Sequence, residues 1–447
     1  MEKNLTSGSV WKNVILFSLP YLLSYLLQTL YGMADLYIIG QFGVVAETTA
    51  VSIGSQFMHM LTVMIVGLAM GTTVFVGQAI GGEDRKKAAE GIGNTVLLFM
   101  LVALVLTGIL TLLVRPITGL LSTPQEAMEG TVAYLRICFL GIPFITAYNV
   151  ISAIFRGLGD SKSPMYFIAV ACAANIALDL LFMGGMHMGP AGAALGTTLS
   201  QALSVVISLA VIRKRKTGIT FGKEDFRPKR PVMGRILRIG LPVAFQDGLI
   251  QIAFLLITII ANHRGLNDSA AVGIVEKIIS FVFLVPSSML STVSALGAQN
   301  IGAGKPERAK ETLYCGLKIS ICFGAAVILL MQLFAEPVVS LFTDSTTAAG
   351  VEVVRLGGQY LRGYIWDCLF AGIHFCFSGY FCAVGRSELS FLHNIIAIGL
   401  MRVPGVYVTS KLFPATLFPM GLATASGSVI SVLICIFAFS RLRKKET

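Results

Sequence analysis

Apolar residues run on in stretches of more than 20, separated by short polar turns, from one end of this chain to the other. About 20 predominantly apolar residues suffice for a helix to cross a bilayer. Twelve stretches qualify, at roughly 14–39, 50–76, 92–114, 132–155, 165–186, 190–212, 237–260, 270–296, 313–334, 355–382, 389–409 and 416–440. They predict an all-α integral membrane protein of twelve transmembrane helices. All the connections are short except the basic segment from Arg213 to Arg238.

Composition agrees with the pattern. The 447 residues are 55% hydrophobic and 13% charged, with a mean hydropathy of +0.80, whereas a soluble domain is about one-quarter charged. The formal net charge of +11 might suggest a nucleic-acid partner, but the bases cluster in short loops between apolar runs rather than on one face of a soluble domain. No nucleic acid is expected. The first apolar run is too long for the core of a cleavable signal peptide, and no small-residue cleavage site follows it. The eight cysteines fall in or beside apolar runs without metal-ligand spacing and are expected to be buried small hydrophobes.

Lys and Arg set the orientation. With the N-terminus inside, the inner loops hold 25 of them and the outer loops only Arg115, Arg264 and Lys411. Both termini are therefore expected in the cytoplasm.

The two halves repeat. Leu19-Pro20 matches Leu241-Pro242, Gln78-Ala79-Ile80-Gly81-Gly82 matches Gln299-Asn300-Ile301-Gly302-Ala303, and Gly159-x-Ser161 matches Gly385-x-Ser387. An even number of runs separates each pair, so the halves insert the same way up. Such a parallel repeat is typical of alternating-access transporters. The expected division is a six-helix bundle over 1–212, a cytoplasmic basic linker over 213–236, and a second six-helix bundle over 237–447.

Chemistry concentrates where polar groups interrupt apolar runs. The run at 165–186 carries one charge, Asp179, four residues after Asn175, so a helix places both on one face. A carboxylate at bilayer depth costs about 2.5–3.5 kcal/mol on insertion scales, which marks it as functional. Run 1 carries Ser24, Gln28, Tyr31 and Asp35 on one helical stripe that should face the bundle interior. The plainer alternative puts Asp35 at the outer interface, solvated. Run 6 carries Thr197, Gln201, Ser204 and Ser208 on a similar stripe, and such hydroxyls often only join membrane helices to one another.

Taken together, Pro20, Asp35-x-x-x-x-Gly40, Gln78-x-Ile80-Gly81, Gly157-x-Gly159-Asp160, Asn175-x-x-x-Asp179, Gly192-Ala193-Ala194 and Gly297-Ala298-Gln299-Asn300-Ile301-Gly302-Ala303-Gly304 resemble the multidrug and toxic compound extrusion (MATE) family over essentially the whole chain. The resemblance implies two pseudo-symmetric six-helix bundles around a V-shaped cavity, and export of small molecules coupled to inward H⁺ or Na⁺. In the DinF-like branch, a first-lobe cation site uses an aspartate of the first span, an asparagine and aspartate of the fifth, and a threonine of the sixth. Asp35, Asn175, Asp179 and Thr197 match these. Two carboxylates with neutral oxygens nearby suit a shared proton or a Na⁺ and would titrate as a pair.

The second half is less regular. Asp247, Gln251, Thr258 and Asn262 form a rough stripe on run 7, Glu276 and Lys277 lie on run 8, and Arg362 and Asp367 on run 10. The NorM-like branch has a glutamate on span 7 and an aspartate on span 10. Asp367 matches, but Ile250 or Gln251 stands at the glutamate position. Glu276 and Lys277 are expected to neutralise partners on neighbouring helices. Gln28, Tyr31, Gln201, Asp247, Gln251, Glu276 and Asp367 complete the candidate substrate-cavity set. Met58, Met60, Met64 and Met70 could line an adaptable wall or simply fill core.

The five histidines lack metal-site spacing, and Gly81-Gly82 and Gly302-x-Gly304 lack the GKS ending of a phosphate loop. No enzyme, cofactor or ATPase is expected. The expectation is therefore a monomeric antiporter in the cytoplasmic membrane of a prokaryote, exporting amphipathic, often cationic, small molecules. The rival is a flippase for a lipid-linked saccharide from a related superfamily, which would use Lys277, Arg362 and Arg402 against a pyrophosphate.

Overall fold

The computed structural model describes residues 5–214, 220–343 and 346–446 and is all-α. Lys3, Arg215 and Lys216, counted above for orientation, lie outside the described residues, as does the side chain of Lys445. Eleven of the described helices are long and apolar enough to cross a membrane, and a twelfth crossing is a pair bent by 49°. They are α1 Val10–Phe42, α2 Val45–Gly81, α3 Arg85–Leu112, α4 the pair Gln125–Leu140 and Ile142–Gly157, α5 Lys162–Gly185 and α6 Gly189–Lys214. The second set is α7 Arg230–Asn262, α8 Leu266–Gly302, α9 Pro306–Ser340, α10 Ala348–Ala383, α11 Ser387–Leu412 and α12 Phe418–Lys444.

Several helices outrun their apolar stretch. Hydropathy registers the length that lipid covers, whereas backbone hydrogen bonding continues into the interface for as long as something caps it. At the start of α2 the Val44 N–H donates to Glu47 Oε2 at 3.1 Å. At the start of α3 the Lys87 N–H donates to Asp84 Oδ1 at 2.9 Å.

Fourth and tenth crossings are not the single straight helices that apolarity suggests. The bend of α4 falls at Gly141, where a Cβ would lie 2.7 Å from the Thr198 side chain of α6. In α10 the break falls at Ile365, between Tyr364 and Trp366. Each of α5 and α11 contains a π turn, over Leu180–Gly185 and Ile398–Arg402.

Two compact units result, one built mainly on Ile15–Ala244 and the other on Phe245–Ile301 with Lys305–Thr447. In the first, α4 packs against α2, α3 and α6; in the second, α10 packs against α8, α9 and α12. The repeat seen in the sequence is thus a repeat of packing, with equivalent helices at each centre. Buried fraction tracks this position: 72% of the α10 span is buried and 22% of α9. The rim helix α3 exposes Leu101, Leu104, Val105, Ile109 and Leu112 on one face, the stripe that lipid covers. Seven cysteines are buried as expected, but Cys322 on α9 is exposed on such an outward face; an apolar stretch alone does not say which side of a helix meets lipid.

The connection after α6 is not a free tether where it is described. Within the first unit, Asn94 of α3 accepts from the Lys229 N–H at 2.6 Å and donates to the Asp225 carbonyl at 3.3 Å. Lys229 Nζ also meets Glu90 Oε1 at 2.7 Å. A Cβ on Gly93 would lie 2.2 Å from that Asp225 carbonyl, so only glycine lets the segment lie so close.

Candidate cation-coupling site

Asp35 lies in the C-terminal half of α1, 3% exposed, with Ile38 and Ile39 also buried just beyond it. It is therefore not solvated at an interface. Thr197 Oγ1 of α6 donates to Asp35 Oδ2 at 3.2 Å. Asn175 and Asp179 project from the buried face of α5, 1% and 0% exposed. Both interact with the Asp35 carboxylate. The four residues singled out in the sequence thus come from three helices to one place.

The geometry leaves much of this cluster unbonded. Asp35 Oδ1, both carboxylate oxygens of Asp179, and both Oδ1 and Nδ2 of Asn175 are buried without a hydrogen-bond partner among the described residues. No ion pair with a described cation reaches either carboxylate. Buried charge without a counter-charge or hydrogen bonds is costly. Four acceptor oxygens gathered in this way suit a proton shared between carboxyl groups or a small hard cation. Among the described residues no group of three or more His, Cys, Asp or Glu is placed to hold a metal ion, so a Na⁺ here would rely on the neutral oxygens of Asn175 and Thr197.

Two features of this site do not show in the linear order of residues. A Cβ on Gly196 would stand 2.1 Å from Asp179 Oδ1, so the bare backbone of α6 is what makes room for that carboxylate. Its signal was the small-residue face Gly192, Ala193, Gly196 one turn before Thr197. Tyr134 of α4, 2% exposed, has Asp35 and Tyr31 among its electrostatic neighbours. A single tyrosine in an apolar run carries no local sign of that role.

The outlying candidates are more dispersed. Tyr31, half-buried, lies in electrostatic range of Asp35 and Tyr148. Gln28 is half-buried on the same helix, and Gln201 of α6 is buried with its Oε1 unbonded.

In the second unit Asp367 and Glu276 each have a partner of their own, whereas no ion pair among the described residues reaches Asp247. Asp367, fully buried just past the break in α10, pairs with Arg402 Nη2 at the end of the α11 π turn. Arg402 Nε donates to the Thr424 carbonyl at 3.1 Å. Glu276 accepts from Thr258 Oγ1 at 3.2 Å and Lys277 is exposed, so Glu276 is held by a hydroxyl and not by the cation expected of a neighbour. Asp247 and Gln251 are half-buried on α7. No hydrogen bond or ion pair among the described residues joins Asp247, Gln251, Glu276 and Asp367 into one cluster. Arg362 is also taken, by Glu336 at 2.9 Å.

A search of known proteins gives a consistent picture. The MatE family model matches residues 20–181 and again 242–408, one match per half. The chain is 26% identical to the probable multidrug resistance protein YoeA of Bacillus subtilis, over 98% of this chain and 95% of that one. It is 29% identical to the probable multidrug resistance protein YpnP of the same organism, over 94% and 92%. Among solved structures, a crystal structure of MATE in complex with MaL6 superposes with a TM-score of 0.92, covering 99% of each chain at 23% identity.

Proposed function

This chain belongs to the MatE family, and from that premise we propose that it is a secondary active antiporter of the DinF-like kind, exporting amphipathic, often cationic, small molecules in exchange for H⁺ or Na⁺. The observation that carries the proposal is the uncompensated pair Asp35 and Asp179, held with Asn175 and Thr197 on α1, α5 and α6. The names of the relatives, multidrug resistance proteins, support small-molecule export as the task.

The proposed cycle follows from charge. With both carboxylates unoccupied, repulsion at short range and the lack of counter-charge favour capture of a cation. That cation is a lipophilic drug arriving from the cytoplasm or the coupling ion arriving from outside. A proton or Na⁺ neutralises the pair, so the cluster no longer holds the drug by charge and releases it outward. One charge moving through 100 mV supplies about 2.3 kcal/mol, enough for roughly a fiftyfold bias per cycle. Both termini would lie in the cytoplasm, the two bundles would carry the 213–236 segment between them, and one copy of the chain would suffice.

The flippase alternative loses support from the ion pairs. Arg402 and Arg362 are each matched by an acid, which leaves only the exposed Lys277 of the three to meet a pyrophosphate.

Purified protein in proteoliposomes, given a lipophilic cation such as ethidium and separate pH or Na⁺ gradients, tests the reading. Ethidium flux driven by one gradient and not the other is expected. Flux that answers to neither would remove the antiporter, and binding of a lipid pyrophosphate would install the rival.

A further inference from the structure

The first unit contains a second buried charge that the coupling cycle does not use. Arg156, in the last turn of α4, is 6% exposed. Its guanidinium lies 5.2 Å from the Tyr21 ring centroid, its Nε has no hydrogen-bond partner, and it makes no ion pair among the described residues. Asp160, four residues on, is already engaged by the Ser163 hydroxyl at 2.6 Å and by the N–H groups of Lys162 and Ser163. One face of a tyrosine is a poor substitute for a counter-charge at a buried site.

A small cavity opens against this guanidinium, lined by Tyr21, Ser24 and Gln28 of α1 and Asn149, Ser152 and Arg156 of α4. No carboxylate is among its walls. Ser152 Oγ is buried there beside Tyr148, without a well-formed hydrogen bond. Ser24 and Asn149 spend donors on the Pro20 and Ile145 carbonyls of their own helices, so the unpartnered donors in the walls are the Arg156 Nε–H and the Ser152 hydroxyl, beside a single positive charge. The space takes about one or two water-sized particles, too few for a phosphate ester or an organic acid.

We infer that this cavity is a binding site for a small inorganic anion of halide size, held by Arg156 with Ser152. The anion supplies the counter-charge that the fold omits. It sits between the first half of α1 and the end of α4, and α1 is the helix that carries Asp35 further along. Occupancy therefore braces α1 against the centre of its bundle, independently of which cation drives transport.

Bromide is a suitable probe, because it scatters anomalously and is not needed by any proposed cycle. The test compares thermal unfolding of the full-length protein in sodium bromide and sodium gluconate at fixed Na⁺ and ionic strength. The midpoint should climb with the logarithm of bromide concentration, since a ligand bound only by the folded state stabilises it, and gluconate should do nothing. Crystals grown in bromide should give an anomalous peak beside Arg156. Arg156→Gln should abolish the bromide shift. Ser152→Asp, which tethers a carboxylate next to the guanidinium, should abolish it too while melting no lower than the bromide-free wild type. That second variant decides the matter if Arg156→Gln fails to fold. Equal midpoints of wild type in the two salts, a bromide shift that survives in either variant, or an anomalous peak elsewhere only would each overturn the proposal.

Discussion

The two units share a packing plan but treat buried acid in opposite ways. In the first, Asp35 and Asp179 are brought together with only Thr197 donating a well-formed hydrogen bond. In the second, Asp367 is matched by Arg402, itself anchored on the Thr424 carbonyl. An acid with a tethered guanidinium has little to gain from a mobile cation, because its counter-charge is already in place. An acid pair without one does. The same packing plan occurs twice, and one arginine separates the buried aspartate of the second unit from the pair that the proposed cycle would neutralise in the first.

Asp179→Asn is the sharpest way to break this contrast. It removes a titrating group at nearly constant volume, so the protein should insert normally and lose gradient-driven ethidium efflux altogether. Asp35→Asn should do the same, and the double variant should be little worse than either, because the residues act as one unit. Normal efflux by Asp179→Asn beside a dead but folded Asp367→Asn would reverse the roles assigned to the two units.

Gly196→Ala should come next. A methyl 2.1 Å from Asp179 Oδ1 must push the carboxylate or the helix aside. Efflux should fall by at least tenfold in proteoliposomes while the protein still purifies as a monodisperse sample. Unchanged efflux would mean that Asp179 tolerates displacement.

Arg402→Met should reveal itself in stability instead. Leaving Asp367 buried and unpaired costs about 3–5 kcal/mol, so the melting midpoint and membrane expression should drop together. Removing both charges, with Arg402→Met and Asp367→Leu, should recover most of that loss and retain transport. A double variant that is stable yet inactive would give the second unit's pair a part in transport.

Thr197→Ala should have the smallest effect. It deletes one hydrogen bond, worth about 1 kcal/mol, and should shift the half-saturating concentration of the coupling ion about fivefold with the maximal rate nearly kept.

Much of this architecture was legible in advance because lipid imposes one-dimensional rules. Twelve apolar runs, the Leu-Pro and Gln-x-Ile-Gly repeats, and the lone carboxylate of run 5 all show in the linear order of residues. Asn175 and Asp179 could be put on one face from spacing alone. What stayed hidden depends on which helix lies next to which. Asp367 and Arg402 are 35 residues apart and neither position announces the other. Charge alone gives Glu276 a cationic partner on a neighbouring helix, but the packing gives it the Thr258 hydroxyl. Gly196 matters only because Asp179 approaches it from another helix, and nothing in the linear order sets Arg156 apart from the other bases.

The π turn after Asp179 has a further consequence, for lineages rather than for energies. A π turn takes one residue more than the α-helix it interrupts, and each residue of a helix advances the face by about 100°. Deleting a single leucine from Leu180–Gly185 would barely change the hydropathy of the span, yet rotate the segment after the turn by about 100° relative to the one that carries Asn175 and Asp179. The turn in α11 that ends at Arg402 sets the direction of its guanidinium by the same rule. The event that aims or misaims each buried charge is thus an insertion or deletion of one apolar residue, which a comparison of aligned substitutions would pass over as a gap.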